Sequence, residues 1–357
     1  MKLVKKGIDG LYGMLEKNRY LAKMKPVLIA VDEFFFGTGH VTDMAPHIAD
    51  HMDMKRFMAL VVAALMPLTM STIYFWGWRA VAMILVSYTF GGIAEVAFAV
   101  IRKKEVHEGF LVTGLIFPLI LPPTVPLWVV AVGVLFGVIF GKEAFGGTGR
   151  NIFNPAIVGR VFLSVAFPKI MSSDWVNPFN AGIGGFAAFK NGVDAVTSAT
   201  PLVILKNQAL MTPYKDLLFG HGAGCLGETF RIAIILGGIF LIVLKVVDWR
   251  IPLTYLGTVF VLPVVCNQLF HARFAPGLFQ ILSGGLLLGA FFMATDPVTS
   301  PFTKPGRWIA GILLGVLTVL IRGLSGYVEG VMFSILFVNA FSPLIDTIVL
   351  KVRYKKG

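Results

Sequence analysis

An all-α polytopic membrane protein of about ten transmembrane helices, with broken helices arranged as an inverted repeat, is the fold class that three observations predict. The chain of 357 residues is 56% hydrophobic and only 14% charged, with a mean hydropathy of +0.80. Soluble domains run at roughly 45–50% apolar and 25% charged residues. The apolar residues gather in long runs, and two of those runs break at prolines in matching positions. Charge this sparse cannot cover a water-exposed surface of this size. Soluble enzyme, disordered chain and nucleic-acid-binding module are therefore excluded as readings of the whole chain.

A bilayer core of ~30 Å needs ~20 apolar residues per helix. Residues 1–55 are polar and basic, without the apolar core of a cleavable signal peptide, and are expected to form a cytoplasmic arm. Residues 56–357 then form the membrane domain. Full spans are predicted at 57–76, 79–101, 127–141, 229–246, 252–270, 308–321 and 329–349. Three further segments are short or interrupted. Residues 109–121 stop at Pro122–Pro123, residues 155–168 are bounded by prolines and carry Arg160, and the glycine-rich 277–294 stops before Asp296–Pro297. Between the fifth and sixth segments lies a long loop, 169–228, of a length that is usually functional.

The net charge of +12 supplies an orientation. With the N-terminus placed in the cytoplasm and the sides alternating, 22 of the 31 Lys and Arg residues fall in inside segments and eight outside. Arg160 is left within a span. Cytoplasmic loops carry the excess of basic residues, so both termini are expected inside and the 169–228 loop outside. The two cysteines, Cys225 and Cys266, cannot hold an iron–sulfur cluster or a structural zinc within this chain.

Two stretches look alike, Gly114–Lys142 and Gly289–Arg322. Each has an apolar half-length segment, a proline-containing break (PPTVP against TDPVTSP) and a following helix with paired glycines, Gly133 and Gly137 against Gly311 and Gly315. An odd number of spans separates the copies, so they are inverted. Paired broken helices in inverted halves point to a central binding site.

The external loop contains DAVTSATPL, Asp194–Leu202, with the hydroxyls of Thr197, Ser198 and Thr200 among small residues. Pro201 biases Thr200 towards extended backbone, and Ala199 leaves room beside it. By itself this pattern fits a polar turn as well as a hydroxyl presented to a planar ligand or a modifying enzyme. The stretch resembles the flavin-attachment motif D-x-x-[S/T]-G-A-T of ion-translocating redox complexes, with Ser198 in place of the usual glycine. GKEAFGGTGRNIFNPAIVGR, EGFLVTGLIFPLILPPTVPLW, SGGLLLGAFFMATDPVTSP and NAFSPLID extend the resemblance along nearly the whole chain. The family comprises the B subunit of the Na⁺-translocating NADH:quinone oxidoreductase and the D subunit of the Rnf complex.

The resemblance implies a urea-transporter-like ten-helix fold in the bacterial inner membrane. It implies FMN joined through a phosphoester to Thr200 by a flavin transferase, with Asp194, Thr197, Ser198 and Ala199 completing the motif. It also implies a second, noncovalent flavin (riboflavin) in the bundle, electron transfer towards quinone, and coupling to Na⁺ or H⁺. The implied partners are other subunits, including a second FMN subunit and one that oxidises NADH or ferredoxin. The arm with VDEFFFGTGHVTD looks like the quinone-reductase branch, whereas VTSATPLVILK and the short loops look like the Rnf branch; the arm favours the former. A cofactor-free channel of urea-transporter type is the competing reading.

Gly146, Gly147 and Arg150 of the GGTGRN stretch are candidate contributors to the second flavin site, because bare backbone can approach a flat ring. A plain cytoplasmic turn fits them equally. Asp296, at the second break, is expected either to cap the next segment or to lie on a cation path. Glu95 and Arg160, as ionisable groups within spans, are each expected to face a cavity or a partner, a Glu–Arg pair being one arrangement. Asp346 is expected to snorkel to the interface. His47 and His51 are read as the polar face of a cytoplasmic helix, and Phe34, Phe35 and Phe36 as a docking element of the arm.

Overall fold

The structure is a computed structural model that describes residues 28, 54–103, 109–172, 175–178, 199–270, 274–327 and 329–354. The arm, with Phe34–Phe36 and His47 and His51, lies outside the described residues, as do Asp194, Thr197 and Ser198. All ten apolar segments form helices, and no strand occurs among the described residues. Among the described residues, six helices are long and apolar enough to cross a membrane.

The first half contains α1 (Met54–Trp76), α2 (Trp78–Arg102), the half-length α3 (Gly109–Leu119), α4 (Leu127–Gly141) and α5 (Pro155–Ala166). The loop adds α6 (Pro168–Ser172), α7 (Pro201–Gln208) and α8 (Tyr214–Phe219). The second half contains α9 (Arg231–Val243), α10 (Arg250–Phe270), α11 (Gly277–Leu282), α12 (Leu286–Leu288, continuing as a π-helical turn over Gly289–Met293), α13 (Lys304–Leu324) and α14 (Val331–Tyr354). The halves pack alike. In the first, α2 lies on α4 and α4 on α5; in the second, α10 lies on α13 and α13 on α14; α1 and α9 then pack against each other. Both second helices open on the same doublet, Trp78–Arg79 and Trp249–Arg250, a repeat signal missed by a reading built on glycines and prolines.

The paired glycines do not serve equivalent contacts. A Cβ on Gly133 would meet Leu163 of α5 and one on Gly137 would sit 3.1 Å from the Gly159 Cα. A Cβ on Gly315 would meet Thr258 and lie 3.1 Å from the Tyr255 carbonyl of α10. So small residues bring α4 against α5 in one half and α13 against α10 in the other.

Each break exposes backbone groups that need partners away from water. At the first, Arg79 Nε donates to the Pro123 carbonyl at 3.0 Å and its guanidinium also reaches the Val125 carbonyl. At the second, Asp296 accepts from the Val298 N–H at 3.1 Å and from the Thr299 hydroxyl at 3.2 Å, closing a turn within the break, while the cap of α13 is Thr303, whose hydroxyl accepts from the Gly306 N–H at 3.1 Å. Asp346 does not snorkel. Its carboxylate accepts from the N–H of Phe302 at 2.7 Å, the N–H of Thr303 at 3.0 Å and the Thr303 hydroxyl at 2.5 Å. A carboxylate facing two bare N–H groups one turn before a helix gains more from them than from bulk water.

Glu95 and Arg160 both have partners, but not each other. Lys142 Nζ donates to Glu95 at 2.5 Å, with both groups buried, and Arg160 pairs with Glu329.

Candidate functional site

Two cavities are of interest. At the C-terminal end of α4, a cavity of about 70 Å³ sits where α1, α3, α5, α9 and the π-helical turn meet. Phe57, Ile116, Phe291 and Phe292 line it with apolar surface, while Lys142, Asn151 and Asp296 are among its polar lining. The second break therefore faces the loop between α4 and α5. Asn154 caps α5 by accepting from the N–H groups of Ala156 and Ile157 at 3.1 and 3.4 Å. Asn151 donates to the Phe153 carbonyl at 3.1 Å. Each asparagine thus commits one end of its amide to holding the loop. Apolar walls with a few fixed polar groups are the usual lining of a small-molecule site.

Within the GGTGRN stretch, the structure brings Thr148 and Asn151 to this cavity. Gly146 and Gly147 adopt φ of 118° and 96° and shape the turn that leads there. Arg150 is exposed and stands outside the lining. The cation at the cavity is Lys142, which the sequence reading left among the topology charges.

The other cavity, of about 370 Å³, lies beside α7. Leu202, Leu205 and Lys206 form one wall, and Gln280 and Arg322 the opposite one. Thr200 is the N-cap of α7, in extended backbone at φ −64° and ψ 152°, and its hydroxyl makes no capping bond. Ala199 stands beside it, half-buried. Gln280 and Arg322 are buried at 2% and 7% exposure. The Gln280 amide donates to the Ala275 carbonyl at 3.0 Å, and Arg322 donates to the carbonyls of Gln280 and Ser283 at 2.6 and 3.0 Å. Yet Gln280 Oε1 and Arg322 Nε have no partner within the protein. An acceptor and a donor are therefore left unsatisfied within two side chains that line this cavity, both atoms being buried from it. The first break is tied to this end, since the Leu226 N–H donates to the Leu121 carbonyl at 3.0 Å.

Comparison with known proteins follows this geometry. The model of the NQR2, RnfD, RnfE family matches residues 41–355. A protein of Ectopseudomonas mendocina, named as the B subunit of a Na(+)-translocating NADH-quinone reductase, is 35% identical over 398 residues, covering 98% of this chain and 97% of the relative. Proteins of the same name from Pseudomonas aeruginosa and Pseudoalteromonas atlantica are 35% and 36% identical, covering 98% and 92% of this chain, and 97% and 92% of their own lengths. With the match running from the arm through the last helix, the chain belongs to the NQR2, RnfD, RnfE family.

Proposed function

We propose that this chain is the membrane subunit of an ion-translocating NADH:quinone reductase, with FMN attached covalently at Thr200 and riboflavin held in the cavity at the C-terminal end of α4. The single observation that carries the first site is the unused Thr200 hydroxyl at the positive end of α7, whose residues Leu202, Leu205 and Lys206 line a cavity. A phosphoester there gains from the helix N-terminus, whose free N–H groups and dipole favour an anion. A flavin ring presents an edge of alternating carbonyl oxygens and N–H. The polar side chains of the lining, Lys206, Gln280 and Arg322, would meet that edge. The second cavity offers the complementary surfaces that a flavin needs, apolar from Phe57, Phe291 and Phe292 and polar from Lys142 and Asn151.

When bound, flavins supply one- and two-electron chemistry that no side chain here offers. The chain's own residues bind, orient and set charge. Arg322 places a fixed positive charge at the first site. Lys142, neutralised by Glu95, keeps the second from carrying an uncompensated cation. The relatives carry the quinone-reductase name, in agreement with the branch that the arm favours. Oxidation of NADH, the second FMN subunit, the quinone and the direction of Na⁺ movement belong to the assembled complex.

The test is expression with a flavin transferase followed by denaturing electrophoresis. Wild-type chain is expected to fluoresce as a flavin band and Thr200→Val to be dark, while both release a noncovalent flavin on denaturation. A fluorescent Thr200→Val band would remove Thr200 from the assignment, and a wild type that releases no free flavin would remove riboflavin.

A further inference from the structure

A buried cluster of charged side chains joins the two halves; it shares Arg322 with the cavity beside α7, and its other members have no part in the function proposed above. Arg160 of α5 pairs with Glu329, which precedes α14, and donates to Cys225 Sγ at 3.4 Å. Glu228, Glu329 and Cys225 each bring an oxygen or sulfur atom within 4.8 Å of the other two. Arg231 at the start of α9 and Arg322 at the end of α13 also act on Glu228, and Tyr255 of α10 faces Arg322. The Arg160 guanidinium touches both the thiol and a carboxylate, so the cation of this cluster is the side chain itself. A metal ion would have to displace it.

Glu228 is 5% exposed, yet its Oε1 accepts no hydrogen bond within the protein. That oxygen lies over bare backbone, where a Cβ on Gly285 would sit 3.3 Å away. Arg160 Nε and Ser283 Oγ are buried without partners as well. An unsatisfied buried polar group costs about 1–3 kcal/mol, and apolar side chains of similar volume commonly hold a core as well as a buried ion pair does. Stability therefore does not account for the cluster. Glu329, whose side chain is 19% exposed, links it to solvent on the face that carries α7. A Cβ on Gly284 would lie 3.1 Å from Leu202 of α7 and 3.3 Å from Glu329.

The geometry points to Glu228 and Glu329 as a carboxyl pair that holds one exchangeable proton at the junction of the two halves, exchanged with solvent on the α7 face. Two carboxylates this close resist ionising together. Arg160 pairs with Glu329, while Glu228 is more deeply buried with an unpartnered oxygen, and burial outweighs the pull of Arg160 and Arg231, which leaves Glu228 as the member that takes the proton. The step is proton transfer alone: hydronium gives H⁺ to the Glu228 carboxylate, an O–H bond forms, water is left, and the reverse returns it. No electrons move, and the site does not depend on either flavin.

Infrared difference spectroscopy of the purified complex tests this, following the carbonyl band of protonated carboxyl groups from about pH 5 to pH 9. The wild type is expected to show a band that shifts in D₂O and fades as pH rises, and Glu228→Gln to lack it. Glu329→Gln removes the neighbouring charge, so the same band should fade about one pH unit lower or more. If Glu228→Gln does not fold, the Glu329→Gln shift decides alone. A band that persists in Glu228→Gln, no such band at any pH, or an unmoved midpoint in Glu329→Gln would each overturn the proposal.

Discussion

Single residues in this protein are governed by partners far away in sequence. Glu95 meets Lys142 across 47 residues, and Arg160 meets Glu329 across 169. A buried charge in a span must have a partner, so its existence is readable from sequence, but the identity of that partner depends on helix packing. Asp346 shows the same limit. Near a helix end a carboxylate reads as interfacial, and only the fold brings the bare N–H groups of Phe302 and Thr303 to it. Asp248, between α9 and α10, is the residue for which a pH effect can be signed. Burial alone would raise its pKa, but the Arg250 N–H and the Arg307 guanidinium, at 2.9 and 2.5 Å, hold it below the usual carboxylate value. A lowered folded pKa adds stability above the unfolded value of about 3.9, and that stability is lost as pH falls through the folded value. Asp248→Asn is expected to destabilise the protein by about 2 kcal/mol at neutral pH, the usual worth of a hydrogen bond to a charged group. The difference from wild type should close below about pH 4. Thermal unfolding in detergent at both pH values checks this, and a gap that persists at low pH would contradict it.

Elements were legible where hydrophobicity is continuous. All ten segments were readable because a bilayer core demands a fixed apolar length. Their ends shifted by a few residues: α13 starts at Lys304 and α9 stops at Val243, since helices extend through polar turns and stop where the backbone finds other partners. The segment 277–294 divides into α11 and α12 around Ser283, a split that apolar content does not announce. The glycine pattern correctly marked close packing but not which helix would be the neighbour. Gly159 and Gly257 separate these roles. A Cβ on Gly159 would lie 2.5 Å from the Gly133 carbonyl and 2.8 Å from Phe117, whereas one on Gly257 would meet nothing within 4 Å. Gly159→Val should wedge α5 from α4, costing at least ~1–3 kcal/mol as overpacking does. Gly257→Val should leave thermal stability within about 0.5 kcal/mol of wild type. Equal unfolding temperatures for the two variants would refute the packing account.

At the scale of the whole molecule, two cavities differ in chemistry. One, beside α7, has Lys206, Gln280 and Arg322 as its polar lining; the other has aromatic walls, a lysine and two asparagines. The resemblance to a flavin-attachment motif singled out Thr200, but the residues that would face a bound ring, Gln280 and Arg322, come from helices about 80 and 120 residues further on and carry no motif. The charge excess belongs to this scale too: in the proposed orientation, with the basic excess inside, the α7 face lies outside, where a flavin transferase would reach Thr200. The most direct test of the central claim is mass spectrometry of the peptide that spans Thr200, from protein produced with and without the flavin transferase. The account predicts a mass increase of one FMN less one water, mapped by fragmentation to Thr200 and dependent on the transferase. An unmodified peptide, or FMN mapped to Thr197 or Ser198, would contradict it.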